Sequence, residues 1–285
     1  MLRIAVPNKG SLSGPAGEML HEAGYQQRKA SKELVLVDPE NEVEFFYLRP
    51  RDIAIYVSSG KLDIGITGRD LLLDSGANAE EVLPLGFARS TFRYAAKPGT
   101  VDALDGFAGL TVATSYEGIV AKHLADQGID ASVVHLDGAV ETAIELGVAQ
   151  VIADVVETGT SLRNAGLEIV GEPILHSEAV VIRRTGADPE APETAKVEQF
   201  LRRLQGVLVA RSYVMMDYDI RAEHLERAVA LTPGLESPTI SPLHDQGWVA
   251  VRSMVRTKEA QRIMDDLYEL GARAILTTGI HACRL

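Results

Sequence analysis

Short apolar runs alternate with amphipathic stretches through most of the chain, and this alternation constrains the fold more than any other feature. The run Leu2–Val6 predicts a strand. The stretch Ser13–Ala23 has apolar residues at helical spacing, with Ser13 as a candidate N-cap and Gly24 as a terminator, and predicts a helix. The alternation continues with a predicted hairpin of Leu34–Val37 and Val43–Leu48, a helix over Asp52–Ser58, a strand over Asp63–Thr67 and a helix from Arg69. Strands and helices in this order predict an α/β fold.

The same alternation repeats from about residue 100 and predicts a second α/β lobe. Its predicted strands are Thr111–Ala113, Ser132–Leu136 and Val151–Val156, and its predicted helices are Gly118–Gln127 and Ala139–Leu146. A strand over Ala179–Arg183 and a helix over Glu193–Val209, joined through the Pro-rich loop Asp188–Pro192, are expected to return to the first lobe. We therefore expect a first lobe of residues 1–95 with 176–210, and a second lobe of residues 96–175.

Residues 211–285 predict a separate α+β domain. Its elements are expected in the order strand Tyr213–Tyr218, helix Ala222–Ala230, a Pro/Gly/Ser segment, strand Trp248–Val255, helix Lys258–Leu270 and strand Ala274–Thr277. This order indicates a ferredoxin-like, ACT-like β-α-β-β-α-β unit. Such modules are common as attached ligand sensors.

Composition excludes several classes of protein. With 285 residues, of which 46% are hydrophobic and 24% charged, the chain has the composition of a globular protein of two or three domains. The single cysteine, Cys283, excludes a disulfide framework and fits a reducing compartment, and the scattered histidines show no zinc spacing. Because no signal peptide or long apolar run is visible, we expect a cytoplasmic protein without a membrane partner.

The charge distribution is uneven. The chain has 28 basic and 40 acidic residues, a net charge of −12, which argues against nucleic acid as a partner. Residues 101–175 alone hold 2 basic and 12 acidic residues, whereas residues 1–100 hold 12 and 13. A phosphate bound by the second lobe would therefore depend mainly on N–H groups and hydroxyls.

A hydroxyl-rich loop follows the predicted strand Val151–Val156. This loop runs from Glu157 to Leu162 and contains Thr158, Gly159, Thr160 and Ser161. At the carboxyl end of a strand, its N–H groups and hydroxyls suit a phosphate, and the nearby Glu141 and Asp154 could accept hydrogen bonds from sugar hydroxyls. On its own the loop could equally be an ordinary capped turn.

The stretch from Glu141 to Leu162 resembles the signature of the ATP phosphoribosyltransferase family. The signature is carried here by Glu141, Gly147, Asp154, Thr158, Gly159, Thr160, Ser161 and Leu162, with Ser161 where the family usually has Thr. Five further blocks resemble the long form of this family: Val6–Gly10, Phe45–Val57, Asp63–Asp70, Asp137–Glu141 and Thr232–Leu243. A second departure is at Ser115–Gly118, where relatives tend to place Pro-Asn after the Tyr.

The resemblance implies a fold and a reaction. The two-lobed core is expected to resemble the type II periplasmic-binding-protein fold. The reaction would transfer phosphoribosyl from phosphoribosyl pyrophosphate to N1 of ATP, giving phosphoribosyl-ATP and pyrophosphate at the start of L-histidine biosynthesis. The resemblance further implies Mg²⁺ as a cofactor, AMP and ADP as competitors of ATP, feedback inhibition by L-histidine, and a homo-oligomer between dimer and hexamer.

The resemblance also implies site residues. Phosphoribosyl pyrophosphate would be bound by Glu141, Asp154, Thr158, Gly159, Thr160, Ser161 and Leu162. ATP would be bound by Lys9, Gly10, Arg49, Asp70 and Tyr116. Lys9, Arg49 and Asp154 are the expected catalytic residues, and no protein side chain is firmly assigned to the metal. Histidine would be bound by Asp219, Leu235, Ser237, Thr239 and Ala274.

The cations of the first lobe have alternative interpretations. Lys9 lies in a Gly-flanked loop with little structural reason for a lysine, and it could meet the developing charge of pyrophosphate. Arg49 and Arg51 could do the same, or they could solvate a turn or pair with Asp52. Asp70 could contact the nucleotide or serve as an ordinary acidic residue at a helix start.

Three further arginines also carry alternatives. Arg69 is a further candidate for pyrophosphate, whereas Arg89 and Arg93 could be salt-bridge partners between the lobes or ligands of ATP phosphates.

The segment Gly234–Thr239 could present hydroxyls to a small zwitterion or form a structural loop.

A rival function class is a two-lobed small-ligand binding protein with an attached amino-acid sensor. This class predicts binding without turnover, and it rests on architecture alone, which does not determine function.

Overall fold

The computed structural model describes residues 1–28, 32–188 and 190–284, so that Pro189 of the predicted loop lies outside the described residues. The strands are β1 (Leu2–Pro7), β2 (Val35–Asp38), β3 (Val43–Leu48), β4 (Ile64–Gly68), β5 (Ala79–Pro84), β6 (Ser90–Ala96), β7 (Thr111–Thr114), β8 (Ser132–His135), β9 (Val151–Val156), β10 (Glu168–Ser177), β11 (Ala179–Arg184), β12 (Tyr213–Arg221), β13 (Thr239–Pro242), β14 (Trp248–Arg256) and β15 (Arg273–Gly279). The helices are α1 (Ser13–Glu22), α2 (Pro50–Ser58), α3 (Arg69–Ser75), α4 (Glu117–Asp126), α5 (Thr142–Glu145), α6 (Thr160–Asn164), α7 (Thr194–Ser212), α8 (Leu225–Leu231) and α9 (Ala260–Glu269). The chain divides into two compact units, Met1–Glu18 with Tyr25–Val197 and Met19–Gly24 with Glu198–Leu285.

The first unit contains a six-stranded sheet of order β2-β3-β1-β4-β11-β5. Its centre is parallel, since β1 pairs in parallel with β3 and β4, while β2 and β3 form the antiparallel hairpin predicted from the sequence. Helix α2 covers one face with Ile53, Ala54 and Val57, which pack in a cluster with Val180 and Ile182 of β11. This burial holds the ends of β1 and β4 in fixed positions.

A second sheet in the same unit has the order β10-β6-β9-β7-β8. Here β7 pairs in parallel with β8 and β9, and β6 and β10 add antiparallel strands. The chain crosses from the first sheet to the second between β5 and β6, and returns at Glu178 between β10 and β11. Two lobes joined by these crossings confirm the expected α/β core of the periplasmic-binding-protein type.

The second unit contains the C-terminal sheet, with the order β13-β14-β12-β15. Helices α8 and α9 cover one face, where Met216, Tyr218, Ile220 and Leu267 are buried. The element order β-α-β-β-α-β confirms the ferredoxin-like prediction. Within the described ranges no helix is long and apolar enough to cross a membrane.

Candidate active site

A pocket of about 420 Å³ lies at the carboxyl end of β9, and we call it the loop pocket. It is lined by Ala139, Glu141 and every residue from Asp154 to Leu162. All seven residues expected to bind phosphoribosyl pyrophosphate therefore line one cavity. Asp154 lies on β9, the loop residues follow that strand directly, and Glu141 lies in the segment just before α5.

The hydroxyl loop, Glu157–Leu162, turns at Gly159, which has φ 71° and ψ 10°. Thr158 and Thr160 share a hydrogen bond between their hydroxyls at 3.0 Å. The guanidinium of Arg163 donates to the Thr160 hydroxyl at 3.2 Å. Left-handed backbone at Gly159 is favourable only for residues without a Cβ, so this turn determines where the hydroxyls lie.

Asp154 provides the carboxylate of the loop pocket. Burial raises its pKa, and the negative charges of Glu141 and Asp70 raise it further, whereas the N–H of Val155, which donates to Oδ1 at 2.8 Å, lowers it. A poorly solvated carboxylate among other negative charges gains most from new hydrogen-bond donors or a cation. The site is therefore suited to sugar hydroxyls or a metal-bound ligand.

A second pocket, the interlobe cleft, lies between the two sheets. Residues of the first lobe that line it include Lys9, Gly10, Pro50 and Asp70. The second sheet and the residues next to it contribute Ser90, Tyr116, Val155, Glu157 and Ser177, of which Val155 and Glu157 also line the loop pocket. A ligand in the cleft would therefore lie next to one in the loop pocket.

Four of the five residues expected to bind ATP line this cleft: Lys9, Gly10, Asp70 and Tyr116. The fifth, Arg49, is exposed at the N-terminal end of α2, beside Pro50 of the cleft wall. Within the described part of the chain, Lys9 and Arg49 have no carboxylate partner. Both cations are thus available to an anionic ligand.

Asp70 and Tyr116 approach each other across the cleft. Asp70 is 8% exposed, and its carboxylate accepts a hydrogen bond from Ser177 Oγ at 2.8 Å. Burial raises the pKa of the Tyr116 hydroxyl, and the charge of Asp70 contributes in the same direction. The Tyr116 ring packs edge-on against Phe92, with ring centroids 5.1 Å apart. This aromatic surface beside a carboxylate could hold a purine.

The remaining arginines near the cleft are engaged within the protein. Arg69 forms two 2.8 Å bonds to the Glu81 carboxylate and lies 3.4 Å from Glu178, and the Glu81 bonds raise its pKa. Arg89 lies 3.7 Å from Glu178 at the lobe crossing, as in the salt-bridge alternative. Arg93 donates to the Thr91 hydroxyl at 3.1 Å.

Arg51 is also paired. Its Nη1 lies 2.7 Å from Asp74 Oδ2, so it pairs with Asp74 and not with its sequence neighbour Asp52, which was one of the alternatives. Asp74 was not found by sequence reasoning, and no local signal points to it, because its contacts lie far away in sequence.

Arg163 is a second residue that sequence reasoning missed. The signal was present, because Arg163 is one of two basic residues in 101–175 and follows the hydroxyl loop directly. The other, Lys122, lies 2.7 Å from Asp126. Within the described residues, Arg163 has no carboxylate partner, and it donates a hydrogen bond to a hydroxyl of the loop.

The residues expected to bind histidine are spread over three strands of the C-terminal sheet and one loop. Asp219 is on β12 beside β15, which carries Ala274. Thr239 is on the edge strand β13, and Leu235 and Ser237 are exposed in the loop that leads to it. Strands lie about 4.8 Å apart, so β13 and β15 are separated by about 14 Å. The structure does not bring the five residues into one pocket within a single copy.

Comparisons with known proteins identify relatives along the whole chain. The HisG family, described as ATP phosphoribosyltransferase, matches residues 49–206. The HisG C-terminal domain matches residues 210–282. The ATP phosphoribosyltransferases of Streptomyces avermitilis and Streptomyces coelicolor are 85% and 82% identical over 285 residues, covering 100% of this chain and 100% of each relative. A solved ATP phosphoribosyl transferase (HisG:HisZ) complex from Thermotoga maritima is similar with a TM-score of 0.62 and 25% identity, over 72% of this chain and 97% of that chain.

Proposed function

The chain belongs to the ATP phosphoribosyltransferase family, in the form with the HisG C-terminal domain, and from this premise we propose its reaction. It transfers the phosphoribosyl group of phosphoribosyl pyrophosphate to N1 of ATP, as the first step of L-histidine biosynthesis. The observation that carries the proposal is the loop pocket, because one cavity contains Asp154, Glu141 and the whole hydroxyl loop.

The reaction needs positioning and charge stabilisation more than proton transfer. Adenine N1 carries no proton, so its lone pair can attack the anomeric carbon while the bond from that carbon to pyrophosphate breaks. The sugar becomes oxocarbenium-like and the leaving group gains negative charge. Asp154 and Glu141 accept hydrogen bonds from the ribose hydroxyls and hold the ring in position. Lys9 and Arg49, which lack carboxylate partners among the described residues, neutralise the charge that develops on pyrophosphate as its bond to the sugar breaks.

Arg163 supplements the hydroxyl loop at the 5-phosphate. Its guanidinium already lies within hydrogen-bond distance of Thr160, at 3.2 Å. A guanidinium matches phosphate geometry and strengthens the hydrogen bonds of uncharged donors. The second lobe therefore contributes one cation in addition to its N–H groups and hydroxyls.

Mg²⁺ would be held mainly by the pyrophosphate of the substrate, next to the carboxylates of the loop pocket. It prefers oxygen ligands and keeps several from substrate phosphates and water, with one or two carboxylates from the protein. Asp154 and Glu141 line one pocket, and burial, together with the charges of Glu141 and Asp70, raises the pKa of Asp154, so that a cation beside it would be favourable. Among the described residues no group of three such side chains could hold the ion, so its other ligands would come from substrate and water. When bound, Mg²⁺ supplies neutralisation of the charge that develops on pyrophosphate.

Histidine inhibition is proposed to act between copies of the chain. Ala274 lies on the edge strand β15, with Asp219 on the adjacent strand β12, and Thr239 lies on the opposite edge strand β13, so the β15 edge of one copy can face the β13 edge of the next. A histidine held between them favours the assembled state through differential affinity. We propose a homo-oligomer of up to six copies, located in the cytoplasm, with AMP and ADP competing at the ATP cleft.

The rival class, a ligand-binding protein with a sensor domain, predicts no turnover. Both HisG profiles match the chain, and full-length relatives named as the enzyme are more than 80% identical, so the comparisons do not favour the rival. The loop pocket contains Asp154 and a hydroxyl loop, as the reaction requires.

The test is direct. Purified protein is incubated with ATP, phosphoribosyl pyrophosphate and Mg²⁺, with pyrophosphatase added to draw the equilibrium forward. We expect a new adenine chromophore and released phosphate, and we expect both signals to be lost without Mg²⁺. Absence of both signals in the complete mixture refutes the reaction, whereas activity without Mg²⁺ refutes only the cofactor.

A further inference from the structure

The carboxylate of Asp74 joins the two lobes. Asp74 is on α3 of the first lobe, and its Oδ2 lies 2.7 Å from Nη1 of Arg51, on α2 of the same lobe. Its Oδ1 accepts hydrogen bonds from the backbone N–H groups of Gly118, at 2.9 Å, and Ile119, at 3.3 Å. These two residues belong to the first turn of α4, in the second lobe. The side chain is only 9% exposed, so these bonds lie largely away from water.

Gly118 permits this approach of the lobes. A Cβ at this position would overlap the backbone oxygen of Asp74. The N–H groups at the start of a helix lack intrahelical partners, so a carboxylate that accepts two of them stabilises the helix end. The cap comes from another lobe, and it therefore fixes the position of α4 relative to α3.

The same contact reaches the interlobe cleft through Arg51. The Arg51 guanidinium lies over the Tyr116 ring, 4.8 Å from its centroid. Tyr116 directly precedes α4 and lines the cleft together with Asp70 and Lys9. Displacement of α4 would therefore move the Tyr116 ring away from Asp70. By contrast, residues 139–162 of the second lobe alone line the loop pocket.

We propose that Asp74 is a positioning residue, which holds the second lobe on the first so that Tyr116 and Asp70 form one binding site for the nucleotide. The inference rests on the proposed function, because it assigns the cleft to ATP and the loop pocket to phosphoribosyl pyrophosphate. Asp74 itself touches neither substrate. Its loss weakens ATP binding and leaves phosphoribosyl pyrophosphate binding unchanged.

Variants from both sides of the contact test this division. Asp74→Ala, in the first lobe, removes both the cap of α4 and the ion pair with Arg51. Gly118→Ala, in the second lobe, adds a Cβ that pushes the two lobes apart. Asp74→Asn keeps an oxygen that can accept the N–H bonds and loses the ion pair. Asp63→Asn is the matched control, because the Asp63 carboxylate accepts the Arg3 N–H at 2.7 Å within the first lobe.

The measurements are the KM values for both substrates, and the Kd of each substrate alone by calorimetry. We expect Asp74→Ala and Gly118→Ala to raise the KM and Kd for ATP about tenfold, which corresponds to about 1.4 kcal/mol. Asp74→Asn should have a smaller effect, and Asp63→Asn none. The values for phosphoribosyl pyrophosphate should stay within about twofold in all variants.

A structural role alone would lower thermal stability and change both substrates together or neither, and either pattern overturns the proposal. If Asp74→Ala does not fold, Gly118→Ala and Asp74→Asn decide the question. A wild-type protein that forms no product refutes the proposed function instead, so the two failures are distinguishable.

Discussion

Replacing Arg163 by Met tests whether this cation binds the 5-phosphate of phosphoribosyl pyrophosphate. Methionine keeps much of the side-chain length and removes the charge and all hydrogen-bond donors. In the structure the guanidinium donates to Thr160 Oγ1 at 3.2 Å and has no carboxylate partner among the described residues. A change in substrate affinity would therefore come from the lost contact with phosphate rather than from a released acidic group.

The magnitude follows from the exposure of Arg163 and its existing hydrogen bond. A hydrogen bond between two charged groups contributes about 1.5–3 kcal/mol, and giving up the exposed bond to the uncharged Thr160 hydroxyl offsets about 0.5–1 kcal/mol of it. Because Arg163 is exposed, water screens the contact, and a net contribution of about 1–2 kcal/mol is reasonable. This corresponds to a rise of about 5- to 30-fold in the KM for phosphoribosyl pyrophosphate.

The assay measures KM for both substrates in Arg163→Met and in the control Lys122→Met. Lys122 is the other cation of residues 101–175, and it pairs with Asp126 on the exposed side of α4. The KM for ATP should not change in either variant. The difference between Arg163→Met and wild type should shrink at high salt, because salt screens exposed charges. A KM for phosphoribosyl pyrophosphate within twofold of wild type would show that Arg163 does not bind the phosphate.

Three further variants test other parts of the structure. Asp154→Asn should lower turnover about 100-fold as ribose hydrogen bonds are lost. Burial raises the pKa of Asp154 in the folded protein, so its ionisation costs stability at pH values above its pKa in the unfolded chain. Thermal unfolding should therefore show that Asp154→Asn is more stable than wild type at neutral pH. This gain should vanish near pH 3, where Asp154 is protonated in both the folded and the unfolded state. Gly159→Ala places a Cβ at φ 71° and should destabilise the protein by about 1–2 kcal/mol in denaturant titration, and an unchanged midpoint would contradict the strain. Asp219→Ala should relieve histidine inhibition without changing uninhibited turnover, and unchanged sensitivity would contradict the assignment of the C-terminal domain.

Hydrophobic periodicity was sufficient to predict most of the elements but not every strand. The apolar runs of β1, β9 and β11 predict buried strands, and in the structure each of these strands is covered on both faces. The strands β5, β6, β10 and β13 were not predicted. β13 is exposed at all four positions and exists through its pairing with β14, and β10 contains a register shift between Val170 and Leu175. Such strands depend on tertiary pairing, which a local pattern does not contain.

In the candidate site, too, local sequence was sufficient to predict some parts and not others. The loop pocket could be predicted because its residues are contiguous or nearly so, from Glu141 to Leu162. The contacts of the interlobe cleft could not, because Asp70 meets Ser177 from 107 residues away and Asp74 meets Gly118 from 44 residues away. Arg51 illustrates the difference: its sequence neighbour Asp52 was one candidate partner, and the structure pairs it with Asp74 instead.

ATP is the substrate that we expect to hold the two lobes together. Phosphoribosyl pyrophosphate is proposed to bind through the loop pocket of one lobe, and Lys9 and Arg49 are proposed to act on the charge that develops on its leaving group during the reaction. ATP is proposed to bind a cleft formed by both lobes. A ligand shifts a conformational equilibrium only by its difference in affinity for the two states. ATP contacts both lobes and therefore stabilises their association, and Asp74 provides part of that association in advance. When the Asp74 contact is weakened, ATP binding must supply the free energy of lobe association that the contact provided. The affinity for ATP therefore falls, and the loop pocket stays intact.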